Sequence, residues 1–127
     1  MSLSIQTGVR GQHAFVVALR GEVDYASARQ VREAVSALLG TGSTIAITID
    51  LGGVTFLDST GVGTLVVAHR ICADCGVRLN IVRPNAFIMR LFQVLGVAET
   101  LGVRVPAQRN AAGDALPRSG DPLPQSA

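Results

Sequence analysis

No lysine occurs anywhere in the 127 residues, so all 11 basic positions are arginine; spaced without a run among 9 acidic residues, they leave a net charge of only +2. A chain so nearly balanced has no basic cluster with which to track a phosphate backbone, and its pI near 8.9 argues only weakly for nucleic acid. Cysteine is scarce as well. Cys72 and Cys75 are too close in sequence to staple distant parts of a fold, so stability must come from packing. No apolar run approaches the roughly 20 residues that a spanning helix needs. The opening MSLSIQTGVR lacks the charged and apolar regions of a signal peptide. These absences set the expectation of a cytoplasmic protein that binds neither membrane nor nucleic acid directly.

What is present is apolar material: 48% hydrophobic residues and a mean hydropathy of +0.40, enough for one core and too short a chain for two. SIQTGVR and HAFVVALRG read as the two strands of a hairpin around GQ; the second is apolar throughout, hence central, and is expected to end at Gly21. From Tyr25 to Leu39, Ala28, Val31, Val35 and Leu38 recur at helical spacing opposite Arg29, Gln30, Arg32 and Glu33, and Gly40 stops the helix. TIAITID alternates, with Ile45, Ile47 and Ile49 on one face and Ala46, Thr48 and Asp50 on the other. A strand buried on one face implies helices mainly on one side of the sheet. A second helix with Val62, Leu65, Val66 and Cys72 on a broad apolar side is expected to be mostly buried. GVRLNIV is a strand, PNAFIMRLFQVLG a helix with Asn85 as N-cap and Gly96 at its stop, and LGVRV a last short strand. From Pro106 onward the chain holds four of its five prolines and no aromatic residue, which predicts a folded domain over 1–105 and a disordered tail over 106–127.

The stretch TFLDSTGVGT, Thr55 to Thr64, carries the chemistry. As a nucleophile elbow it fails, because G-x-S-x-G needs glycine where Leu57 stands, and His69 lies about 15 Å along the same helix at ~1.5 Å per residue. As a phosphate loop it fails for want of the G-K-[ST] ending. HRICADC offers C-x-x-C after a histidine. Its place near the C-terminal end of a helix disfavours thiolate, and a rotation of about 600° between residues 69 and 75 keeps the three side chains from converging on zinc. Packing cysteines, no metal and no cofactor are the reading. For DSTG itself, Asp58 or Ser59 can serve as an N-cap, with Gly61 and Gly63 permitting close backbone approach.

GEVDYASA, IDLGGVTFLDSTGVGTL and PNAFIMRLFQVLGV, in that order and spacing, together resemble the STAS domain of bacterial anti-sigma factor antagonists over about Ser4 to Val105. The resemblance implies a small single-domain α/β fold, a mixed sheet with helices mostly on one face. FLDSTGVG looks like the family's D-S-x-G phosphorylation motif, which makes Ser59 the phosphoacceptor and Thr60 a secondary candidate. It also implies a partner-binding surface of Asp24, Asp58, Ser59, Thr60, Gly61, Val62 and Gly63. The implied function is partner switching without catalysis. The unphosphorylated protein binds an anti-sigma factor that is itself a serine kinase and so frees a sigma factor; phosphorylation of Ser59 ends the contact, and a serine phosphatase restores it. A scaffold STAS domain in a larger signalling assembly and a small serine hydrolase are the alternatives. Asp24 also precedes YASARQVREAV as an N-cap would.

Overall fold

The computed structural model describes residues 3–103; the tail expected over 106–127 lies outside them. Strands β1 (Leu3–Gly11) and β2 (Ala14–Val23) form an antiparallel hairpin closed at Gln12 and His13, with His13 in the left-handed region at φ 61°. Helix α1 (Ala28–Leu39) leads to β3 (Ala46–Leu57), α2 (Ser59–Asp74) to β4 (Arg78–Val82), and α3 (Ala86–Val94) follows. The sheet runs β1-β2-β3-β4, antiparallel at the first pair and parallel at the other two. This is the mixed sheet expected.

Alternation decides which face is covered. Val17 and Leu19 of β2, Ile47, Ile49 and Leu51 of β3, and Leu79 and Ile81 of β4 point one way and are buried. Onto them pack Val31 and Val35 of α1, Val62, Leu65, Ala68 and Cys72 of α2, and Ile88 and Phe92 of α3, in one core cluster. Asn85 caps α3, its Oδ1 accepting from the Ile88 N–H at 2.8 Å, and its side-chain amide donates to the Val54 carbonyl of β3 at 3.4 Å.

Four expectations about the strands and helices change. Strand β2 does not stop at Gly21 but runs to Val23. Gly21, at φ 108°, sits at an irregularity where β3 carries an extra residue, and Thr55 Oγ1 donates to the Gly21 carbonyl at 3.2 Å. Ile45 precedes β3, at the strand's mouth, and is 59% exposed, whereas Thr48 on the helix-free face is shielded between its neighbours Val16 and Asn80. Helix α2 buries one side only; Gly63, Val67 and Ile71, four residues apart, leave a continuous exposed stripe. Residues 98–102 form a turn, and no strand starts at Leu101: Gly102 has φ 66°, and Leu101 is buried against the core. Residues 104 and 105 of that expected strand lie outside the described range.

The two cysteines part company. Cys72 is buried in the core, and burial, then its neighbour Cys75, pushes its thiol up to about 11. Cys75 is exposed at the end of α2, so only Cys72 is a packing residue. Native protein is expected to titrate one thiol with an aromatic disulfide reagent and denatured protein two, since a buried, protonated thiol is a poor nucleophile. Fast titration of both in the native state would contradict the burial of Cys72. Phe92→Ala, at the centre of the cluster, is expected to cost about 3–5 kcal/mol in urea unfolding.

Candidate partner-binding site at the carboxyl ends of the parallel strands

Val23 and Leu57, the last residues of β2 and β3, are Cα partners, and the Asp58 N–H donates to the Val23 carbonyl at 3.3 Å. The segments that follow, each opening a helix, therefore lie side by side. Asp24 and Asp58 come from positions 34 apart in sequence, and strand pairing alone makes them neighbours.

Asp58 begins α2 directly, whereas Asp24, expected as the cap of α1, heads the turn three residues before Ser27, where that helix starts. Asp58, in extended conformation, accepts the Gly61 N–H on Oδ1 at 2.8 Å, while its carbonyl takes the Val62 N–H at 2.9 Å. Asp58 is thus the N-cap of α2. Ser59 is not the cap: it is the first helical residue, exposed, and among the described residues no side-chain hydrogen bond holds its hydroxyl. Asp24 and Ser27 bond reciprocally, the Ser27 N–H to Asp24 Oδ1 and the Asp24 N–H to Ser27 Oγ, each at 3.0 Å. The Asp24 carbonyl also takes the Ala28 N–H at 2.8 Å, so Asp24 caps the turn that runs into α1. Bonds from the Ser27 backbone N–H, then its hydroxyl, favour the charged carboxyl of Asp24 and lower its pKa. A depressed carboxylate adds stability above its unfolded value and loses it as pH falls through the folded one, so this turn is intact at neutral pH.

The remaining expected site residues divide by depth. Gly61 is buried against the strand ends. A Cβ there would sit 2.6 Å from the Val23 carbonyl oxygen and 2.6 Å from Leu57 Cδ1. Val62 is 3% exposed and belongs to the core, so it supports the surface from beneath and presents no contact of its own. Thr60 and Gly63 are exposed, and nothing lies within 4 Å of a Cβ built at Gly63. The surface is thus Ser59, Thr60 and Gly63, with the Asp24 turn beside them. A concavity of about 450 Å³ separates Thr60 from Tyr25, Arg29 and Arg32 of the facing segment. The sequence assigned those arginines to a solvated helix face; only the pairing of β2 with β3 turns that face toward Thr60. Among the described residues, no group of three or more His, Cys, Asp or Glu could hold a metal ion.

The chain that carries this arrangement is matched by a family model. The model described as "Mlab, STAS domain" covers residues 8–104. The chain belongs to the STAS-domain family. It is 30% identical over 82 residues to the anti-sigma F factor antagonist of Lysinibacillus sphaericus, a span of 65% of this chain and 70% of that one. The fold is shared with an anti-sigma factor antagonist from Mycobacterium paratuberculosis, at a TM-score of 0.70 and 23% identity over 89% of this chain and 96% of that one. It is shared too with the Bacillus cell fate determinant SpoIIAA in its phosphorylated form, at a TM-score of 0.63 and 21% identity, covering 85% and 97% of the two chains.

Two glycines of this STAS domain should respond oppositely. Gly61→Ala must displace β2 backbone or Leu57, an overpacking cost of about 1–3 kcal/mol. Gly63→Ala gains helix propensity, up to ~1 kcal/mol, at an open position. Equal melting temperatures for the two variants would contradict the packing at Gly61. Asp58→Ala should lose about 0.5–2 kcal/mol with its cap.

Proposed function

We propose that this STAS domain is an anti-sigma factor antagonist that switches partners through Ser59. The observation that carries the reading is the separation of cap from acceptor: Asp58 makes the cap bond, so the exposed Ser59 hydroxyl can be modified without taking one from the fold. The name of the Lysinibacillus relative and the phosphorylated form of the Bacillus protein support it. In this reading the unphosphorylated chain docks an anti-sigma factor on the ends of α1 and α2. Gly63 lets the partner's backbone approach, and the exposed Val67 and Ile71 extend the contact along α2. The partner, a serine kinase, transfers a phosphoryl group to Ser59 and thereby ejects itself; a serine phosphatase resets the cycle in the cytoplasm.

The energetics favour a switch over unfolding. A phosphoserine adds about −1.5 to −2 charge. At the first position of α2 it meets the positive end of the helix, worth ~0.3–1 kcal/mol in its favour. In a docked interface the same charge is desolvated beside Asp58, and like-charge conflict there costs several kcal/mol, with each 1.4 kcal/mol a factor of ten in affinity. The chain is substrate and ligand in this scheme. Ser59 has no histidine bonded to it that could act as base, which leaves the hydrolase reading without support.

Ser59→Ala is expected to keep the wild-type melting temperature, bind the anti-sigma factor and resist the kinase. Ser59→Asp should fold normally and bind about tenfold or more weakly. Phosphopeptide mapping after incubation with the kinase and ATP decides the site: label on Thr60 or elsewhere refutes the assignment, as does a folded Ser59→Ala that cannot bind. Asp24→Asn keeps the oxygen that accepts the Ser27 N–H and removes the charge. Its stability should hold while binding or phosphorylation falls; unchanged binding and phosphorylation would reduce Asp24 to its capping role.

A further inference from the structure

The sheet face that carries no helix holds a second constellation, remote in sequence from Ser59. Pairing sets Ser4 opposite Arg20, Gln6 opposite Ala18, and Ala18 opposite Asp50, so these residues share that face. Beyond Asp50, β3 bulges through Gly52 and Gly53, and arginine side chains lie across both glycines, with the Leu19 carbonyl as close to Gly53 as Arg20 is. A Cβ on Gly52 would lie 2.5 Å from Nη2 of Arg83, and one on Gly53 3.1 Å from Cγ of Arg20. Arg83 reaches its place from a left-handed backbone, φ 59°, which a non-glycine residue adopts at a cost.

Arg83 and Asp50 form a two-pronged pair, Nε to Oδ1 at 3.0 Å and Nη2 to Oδ2 at 3.1 Å, and Oδ1 also takes the Gly52 N–H at 2.8 Å. That clamp accounts for Arg83 and Gly52 structurally. It leaves Asp50 neutralised, and it does not account for Arg20, which makes no ion pair among the described residues. Beside it lies a cavity of about 350 Å³, lined by Ser4, Gln6, Arg20, Asp50, Gly53 and Arg83. Its volume is at the low end for small-molecule sites, ~300–1,000 Å³. Among the described residues, the groups free to bond there are a guanidinium, a hydroxyl and an amide, while the one lining carboxylate is already satisfied. Such a donor set suits an oxyanion and disfavours a cation. Arg10 adds positive potential, close enough to act on Asp50.

We propose that this cavity binds a small molecule through a carboxylate or phosphate group, seated on Arg20 and the outer edge of Arg83, with Ser4 and Gln6 completing the donors. The site is independent of the Ser59 switch and of any anti-sigma factor. The test is a two-dimensional amide NMR titration of the full chain with inorganic phosphate and, separately, with citrate, ionic strength being held by sodium chloride. Saturable shifts at Ser4, Gln6, Gly53 and Arg83 are expected with at least one probe, and the probe that saturates identifies the anion as phosphate or carboxylate. Arg20→Gln should weaken binding about tenfold or more, the loss of one charge-assisted bond. Arg29→Gln, on the opposite side of the sheet, should leave it unchanged. Gln6→Ala, made in parallel, should also weaken it and provides the comparison if Arg20→Gln disturbs the fold. Failure of both probes to saturate by about 10 mM, where binding is worth under ~3 kcal/mol, overturns the proposal. So does equal affinity in wild type, Arg20→Gln and Gln6→Ala.

Discussion

Helix α2 rests on the ends of two strands at a distance that only a glycine permits, and the whole upper surface of the molecule is set by that contact. With Val23 O and Leu57 Cδ1 both 2.6 Å from where a Cβ would stand on Gly61, the first turn of α2 is pressed onto β2 as well as onto its own strand. For this to happen, Leu57 must be level with Val23. The β2–β3 register reaches that position through two irregularities, each adding a residue to β3 between Asp50 and Leu57. Bulges, glycine and helix start thus form one mechanical unit. It turns Arg29 and Arg32 of α1 toward Thr60 and sets the Asp24 turn beside Asp58.

Within that unit, neighbouring residues have different duties. Asp58 is spent on the cap, Gly61 on contact with the strands and Val62 on the core, which leaves Ser59, Thr60 and Gly63 facing outward. The spacing follows from helical geometry: at 3.6 residues per turn, positions 61 and 62 face the sheet while 59, 60 and 63 face away. A group that makes no bond in the folded chain is the one that can be changed without unfolding it. Gly52 and Gly53 likewise let the side chains of Arg83 and Arg20 lie across the strand, on the face that carries no helix.

Much of this was legible in the sequence. Periodicity located the three helices and four of the five expected strands, because an amphipathic helix and a half-buried strand write their periods directly into the chain. Asn85 was recognisable as a cap because its side chain acts within three residues of itself. The strand expected from Leu101 failed locally, at the left-handed Gly102, and most of the other misses were set by partners distant in sequence. Gly21 looks like a strand end, yet β2 runs on past it, with Thr55 as the extra residue of β3 opposite; Ile45 looks buried, yet stands exposed before β3 begins. Choosing Asp58 over Ser59 as the cap also needed coordinates, since either side chain can accept an N–H at that position. The order of strands, which makes Asp24 and Asp58 neighbours and brings Arg20 to Gly53, is written in no local pattern.

The proposed switch rests on an inequality between two energies. Stability of a domain this size is about 5–15 kcal/mol, so a modification that removed a cap and strained a helix start would consume a large part of it and act by unfolding. With the cap on Asp58, the modification spares that term and the helix end offers a small gain. The full penalty then falls on whatever is docked against residue 59, where a few kcal/mol suffices to move affinity a hundredfold or more, by ~1.4 kcal/mol per factor of ten. A signalling domain needs this asymmetry: the same charge must be nearly neutral to the fold and decisive at the surface. Placing the acceptor one residue inside an aspartate cap, over a glycine that locks the helix to the sheet, meets both conditions with side chains from a single turn.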